Sequence, residues 1–267
     1  MSYLFIKFSI TVGLLFVGTS LFADRVLKSL TYYEKDMNVL IRQTPMPEMG
    51  ESRLEKILTR YYEQGLGGLE NWEKIESLKV SGSLKTTELT YKLAACQKKP
   101  HFVKLTLRTG KSHLTLGYDG KDAWNILSES GGKATKMDEA VARRFIHNSH
   151  FGNHLLYPYK LGKTVSYVDT IPVEGNICHL VRVVLDTDYQ IDYFIDIRSY
   201  LEVKVEHTDL RNKSVNTTVY TDYIRELGMP IAKNVISREN GEFVSEIQLD
   251  EVTINSGIMP WMFRMPK

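Results

Sequence analysis

The sequence predicts a mainly β fold with some α: a meandering antiparallel sheet of about eleven short strands over two or three helices. Three observations carry this expectation. From Leu78 onward, apolar and polar residues alternate with a period of two in short runs separated by turn residues. Ahead of them stands a segment of helical spacing that opens with a capping box, Ser52 and Glu55. A second helical stretch, over residues 137–151, interrupts the strands once. A chain of 267 residues with 43% hydrophobic and 25% charged residues can bury a core of this kind, and that composition excludes a disordered or collagen-like chain.

At the N-terminus, Lys7 precedes an uncharged run over residues 8–23, and Asp24 and Arg25 then restore polarity. A basic start, apolar middle and small-residue exit describe a secretory signal peptide over residues 1–23, cleaved after Ala23, with Ser20 as the alternative site. The run is shorter than the roughly 20 apolar residues of a membrane span; an uncleaved anchor is the alternative. No cysteine stands at the junction, so the exported chain is not expected to carry a lipid anchor. Residues 24–50 form an N-terminal helical extension, with Val26, Leu27, Leu30 and Tyr33 at helical spacing, ended by Thr44-Pro45-Met46-Pro47 and Gly50.

The main domain then spans residues 51–267. Its first helix is expected at about 52–64, with Leu54, Ile57, Leu58, Tyr61 and Tyr62 on one side and Gly65, Gly67 and Gly68 closing it. Strand-like runs follow at 78–84, 88–95, 101–108, 112–118 and 122–127. Beyond the second helix, Tyr189, Ile191, Tyr193 and Ile195 alternate cleanly. So do Leu201, Val203, Val205 and His207 against Glu202, Lys204 and Glu206. In the last strand Phe243, Ser245, Ile247 and Leu249 share a face, then Val252 and Ile254 shift phase. A β-bulge near Asp250 accounts for the slip.

The formal net charge of +2 shows no electrostatic footprint for nucleic acid or an anionic membrane. Catalytic patterns are equally scarce. His147, His150 and His154 have spacing that suits a zinc site, but no HExxH or cysteine pair accompanies them, and they read as solvent-facing or capping histidines. Cys96 and His101 are separated by a turn, and no serine sits in a nucleophile elbow. The chain reads as a non-enzyme without metal or cofactor. Cys96 and Cys178 are open to two readings: a disulfide in an exported protein, or two buried free thiols. Leu93, Val103, Leu105, Leu107, Leu116, Trp124, Val203 and Val205 are candidates to line an apolar ligand cavity, each with packed core as the competing reading. Trp261, Met262, Phe263 and Met265 are expected to plug one end.

Several phrases, taken in order, are similar to a known family. They are ILTRYYEQGLGGLENWEKIESLKVSGSL, KKPHFVKLTL, GYDGKDAWNI, VEGNICHLVRVVL with YFIDIRSYLEVKVEH, LGMPIAKNV and INSGIMPWMFRMP. Together they resemble the LolA/LolB-like periplasmic lipoprotein-carrier superfamily, in its outer-membrane lipoprotein-sorting branch, over residues 51–267. The resemblance implies an open, incomplete antiparallel β-barrel capped by helices, which shelters lipoprotein acyl chains or a related lipid in the periplasm. Inner- or outer-membrane transport proteins would then be its partners. True carriers of this family have an arginine in the basic-Pro strand, where its hydrogen bonds to the helical lid hold the closed form. This chain has Lys99 before Pro100, and lysine lacks the planar fork. The residue 24–50 extension also exceeds what the carriers need. A sensing or interaction module on the same fold, like the regulators of anti-sigma factors, is the alternative.

Overall fold

A computed structural model describes residues 52–110, 112–128, 131–155 and 162–267. The signal peptide expected over residues 1–23 and the extension over 24–50 lie outside the described residues. Three α-helices are present among those described: α1 (Arg53–Arg60), which runs on into a π turn (Tyr61–Gly65), α2 (Leu69–Lys74) and α3 (Glu139–Asn148). The strands are β1 (Ser77–Lys85), β2 (Thr90–Lys98), β3 (Phe102–Thr109), β4 (Ser112–Tyr118), β5 (Ala123–Leu127), β6 (Ala134–Lys136), β7 (Lys163–Val173), β8 (Asn176–Leu185), β9 (Tyr189–Asp196), β10 (Glu202–Asp209), β11 (Val215–Glu226), β12 (Met229–Glu239) and β13 (Glu242–Ile254).

They form one sheet in the order β6-β5-β4-β3-β2-β1-β13-β12-β11-β10-β9-β8-β7. The order is open, with β6 and β7 at its two ends, as an incomplete barrel requires. Thirteen strands exceed the expected count of about eleven. The three residues of β6 are too few to display an alternation. β7 carries Pro172 near its end, a residue without an N–H that an edge strand accommodates readily. No described helix is long and apolar enough to cross a membrane. Contacts divide the described residues into two compact units: Ser77–Phe151 with Ile236–Lys267, and residues 52–76 with Gly152–Val235.

In the first unit β1 pairs with both β2 and β13. The β1–β13 register runs from Ser81↔Glu251 to Gly82↔Leu249, skipping Asp250. The bulge expected from the phase slip is therefore present at that residue. Gly82 lies in the same irregularity, and a Cβ there would stand 2.1 Å from the Gln248 carbonyl oxygen. α3 packs on β5 and buries Phe145.

The second unit begins at the capping box, where the Ser52 amide donates to Glu55 Oε2 (3.0 Å) and the Glu55 amide to Ser52 Oγ (3.3 Å). Two of the otherwise unpaired donors at the helix start are thereby satisfied. Ile57, Leu58, Tyr61 and Tyr62 are buried. The π turn ends at Gly65, where a Cβ would come within 2.3 Å of the Tyr200 carbonyl oxygen, so only glycine lets the turn seat against that backbone.

Candidate functional site

Strand pairing in the first unit brings five of the sequence-predicted residues together. Leu93 pairs with Leu107, and Leu105 with Leu116; Val103, two residues before Leu105, shares their face. None of the five is more than 8% exposed. Tyr118, opposite Val103, and Tyr91, opposite Leu84, extend the apolar surface.

Trp124 is not among them. It pairs with Gly117, whereas its neighbour Asn125 pairs with Leu116, so the indole points to the other face of the sheet. There it is fully buried: its Nε1 donates to the Phe263 carbonyl oxygen (2.9 Å), and Gly117 leaves room that a Cβ, 2.2 Å from the ring, would take. The Phe263 ring packs 5.5 Å from that of Phe102. Of the four C-terminal residues expected to plug the barrel, only Phe263 is buried. Trp261 is 63% exposed and Met262 39%.

The turn between β2 and β3 holds Lys99, Pro100 and His101. The Phe151 amide, just beyond α3, donates to the Pro100 carbonyl oxygen (3.2 Å), and the His101 and His150 rings stand 5.3 Å apart. Lys99 itself is half-buried in this turn. His101 is 7% exposed and its Nε2 finds no hydrogen-bond partner among the described residues, so burial lowers its pKa to about 4. His150 and His154, read from sequence as solvent-facing or capping residues, are both buried, and His147 is half-buried on α3. Among the described residues no group of three or more His, Cys, Asp and Glu is arranged to hold a metal.

In the second unit Val203 and Val205 part company. The β9–β10 register passes from Glu202↔Ile195 to Lys204↔Phe194, a bulge that turns Val203 and Lys204 to the same side. Val205 stays with Tyr193, 2% exposed. Val203 instead packs against Val173, Cys178, Leu180 and Phe194 on the far face, where Lys204 Nζ lies 4.1 Å from the Phe194 ring centroid.

The same bulge aims Glu202 at the π turn, an arrangement the sequence reading missed. Tyr61 Oη donates to Glu202 Oε1, and Asn153 Nδ2 donates to both. Tyr223 Oη donates to the Glu202 carbonyl oxygen (2.7 Å). Burial pushes the Glu202 carboxyl above its usual range, although the Tyr61 and Asn153 hydrogen bonds pull the other way. Burial, then the Glu202 charge, raises Tyr61 well above its ordinary value. Arg53 and Arg60 clamp α1 to the sheet: Arg53 stacks 4.3 Å over Tyr167 and donates to Thr170 Oγ1 (3.2 Å), and Arg60 donates to Tyr200 Oη (3.2 Å).

Cys96 and Cys178 are both free thiols. Burial pushes Cys178 up to about 11 and also raises Cys96, the latter against the pull of Lys104 and Lys79. Raised thiol pKa values leave little thiolate, the opposite of an activated nucleophile. What the arrangement offers is apolar surface and hydrogen-bonded clamps.

No family model and no curated protein matches the chain. Solved structures do match. A putative outer membrane lipoprotein-sorting protein domain from Vibrio parahaemolyticus aligns with a TM-score of 0.52 at 12% identity, over 74% of this chain and 96% of that one. A DUF1329 family protein from Desulfovibrio piger gives 0.58 at 10% identity, over 80% and 98%. A LolA superfamily protein from Nitrosomonas europaea gives 0.53 at 10% identity, over 80% and 98%. At such identities the likeness is one of fold, and that fold is LolA-like.

Proposed function

We propose that this protein is an exported, non-catalytic carrier that takes up the acyl chains of a lipoprotein or a related lipid in the periplasm. One observation carries the reading: Leu93, Val103, Leu105, Leu107 and Leu116 make a continuous apolar row on one face of β2–β4, within a fold shared with lipoprotein-sorting proteins. Transfer of an acyl chain from water onto such a surface gains about 0.8 kcal/mol per methylene. That gain supplies affinity without covalent chemistry, and release needs only separation of whatever covers the row. The leader-like residues 1–23 support export.

Titration of a fluorescent fatty-acid probe into the purified protein tests this, together with mass spectrometry of lipids co-purified from the periplasm. Wild type takes up the probe. On the carrier reading, Leu105→Glu loses most of the uptake at a modest loss of stability because the opened site admits water; a closely packed row instead gives severe destabilisation and no uptake by wild type. Wild-type protein that takes up no apolar probe, even in mild denaturant, sinks the carrier reading.

A further inference from the structure

The opposite face of β1–β4 has a different chemistry. These four strands contain Lys79, Lys85, Lys92, Lys98, Lys104 and Arg108 and not one Asp or Glu. Register places all six on one side. Lys79 and Lys104 both pair with Cys96, Lys92 pairs with Arg108, Lys98 pairs with Phe102, and Lys85 follows Leu84 of the apolar face. None of the six has an ion-pair partner among the described residues. Lys79, Lys85, Lys92 and Arg108 are exposed, and Lys98 and Lys104 half-buried. The acids nearest in the sheet are on β13: Glu246, opposite Lys85, and Glu251, which accepts from Ser81 Oγ. The chain's near-neutral total conceals this one-signed surface.

On the same face sits the C-terminal 3₁₀ turn (Pro260–Phe263). Phe263 is its root, fully buried against Phe102 and holding the Trp124 N–H through its carbonyl oxygen. Lys104 Nζ reaches the Met262 carbonyl oxygen (3.5 Å) and lies 5.9 Å from the Trp124 ring centroid. With the turn pinned in this way, its apolar side chains have nowhere inward to go. Met259 is 52%, Trp261 63% and Met262 39% exposed.

We infer that this face docks on a lipid surface bearing anionic headgroups, with the lysines and Arg108 against the phosphates and Trp261, Met259 and Met262 inserted at the interface. Unpaired cations beside an exposed tryptophan are what an interfacial site needs. Polybasic groups draw the protein to the charged surface, and the indole, apolar with one polar edge, rests at headgroup depth. A nucleic acid would use the charge but leaves the three exposed apolar side chains unexplained; a protein partner could use both, and binding that ignores the lipid headgroup in the test below is the outcome that favours it. The inference goes beyond the carrier reading and does not depend on its cargo.

The protein carries its own reporter. Of its three tryptophans, Trp72 and Trp124 are buried, so a solvent-dependent shift in emission comes from Trp261. The full exported chain is mixed at low salt with vesicles of phosphatidylcholine alone, or of phosphatidylcholine and phosphatidylglycerol in equal parts. Vesicles with phosphatidylglycerol are expected to sediment the protein and shift its emission to the blue, and added salt to reverse both. Removing two charges, in Lys92→Gln with Arg108→Gln, lowers the partition coefficient about thirtyfold. Trp261→Ser weakens binding and abolishes the shift. All three residues are exposed, so folding survives, as an unchanged thermal melt verifies. Equal binding to both vesicle types overturns the inference, as does sedimentation with no shift, or polyglutamate competing as well as the vesicles. Fatty-acid probe uptake is followed in the same samples: lost docking with retained uptake rejects only this inference, and lost uptake with retained docking rejects only the carrier.

Discussion

His101 makes the stability of the protein depend on pH in a calculable way. Its imidazole is buried beside His150, with Nε2 unpartnered among the described residues, so the folded state holds it neutral with a pKa of about 4. In the unfolded chain the same ring titrates at its ordinary 6.5. Between those values the unfolded state binds the proton and the folded state does not. Stability is therefore complete above pH 6.5, falls as the pH drops toward 4, and is flat below that. The span of the shift corresponds to a loss of about 3 kcal/mol, or roughly 10 °C in Tm for an ordered region of this size. Urea denaturation at intervals from pH 7.5 to pH 4 measures it in wild type and in His101→Phe, which keeps an aromatic ring but cannot take the proton. The variant's curve should be flatter by about that amount. Parallel curves for the two proteins, or an NMR titration of His101 with a midpoint near 6.5, would refute the reasoning.

Other outcomes follow from single contacts. Gly65→Ala sets a methyl group 2.3 Å from the Tyr200 carbonyl oxygen, backbone that cannot swing aside, and should cost about 2–3 kcal/mol by thermal melt. Glu202→Gln should gain stability relative to wild type at pH 8 compared with pH 4.5. Burial raises the wild-type carboxyl's pKa, so its ionised form is a cost that disappears on protonation as the pH falls; denaturation at the two pH values measures the difference. Trp124→Phe removes the 2.9 Å bond to the Phe263 carbonyl oxygen and should lose about 1 kcal/mol, with faster hydrogen exchange in the C-terminal turn.

What could be read from the sequence depended on whether side-chain patterns reported geometry directly. The capping box at Ser52 and Glu55 and the bulge at Asp250 are both visible as patterns, one a pair at fixed spacing and the other a slip of apolar phase. The second bulge was invisible for the converse reason. Leu201, Val203, Val205 and His207 alternate without interruption, yet the backbone turns Val203 and Lys204 the same way and frees Glu202 to meet Tyr61. Apolar Phe194 accepts the Lys204 cation on its ring, so the misplaced charge left no trace in the pattern. Trp124 could not be given a face from the sequence because β5 is covered on both, and a strand buried on both sides has no alternation to read. The row from Leu93 to Leu116 was legible because its intervening residues, Lys104 and Thr106 among them, are polar. The meaning of those lysines emerged only when the register aligned four strands.

The pairing of β1 with β13 joins residues 170 positions apart, as in the bond from Ser81 to Glu251. A ribosome delivers β1 long before β13, so throughout that interval the strand beside β2 has an open edge and half its backbone groups unmet. Contacts this distant are slow to form even in a finished chain, since a long loop must close before any of them pays back the lost entropy. The nascent polypeptide thus stays short of its folded state until β13 has been made.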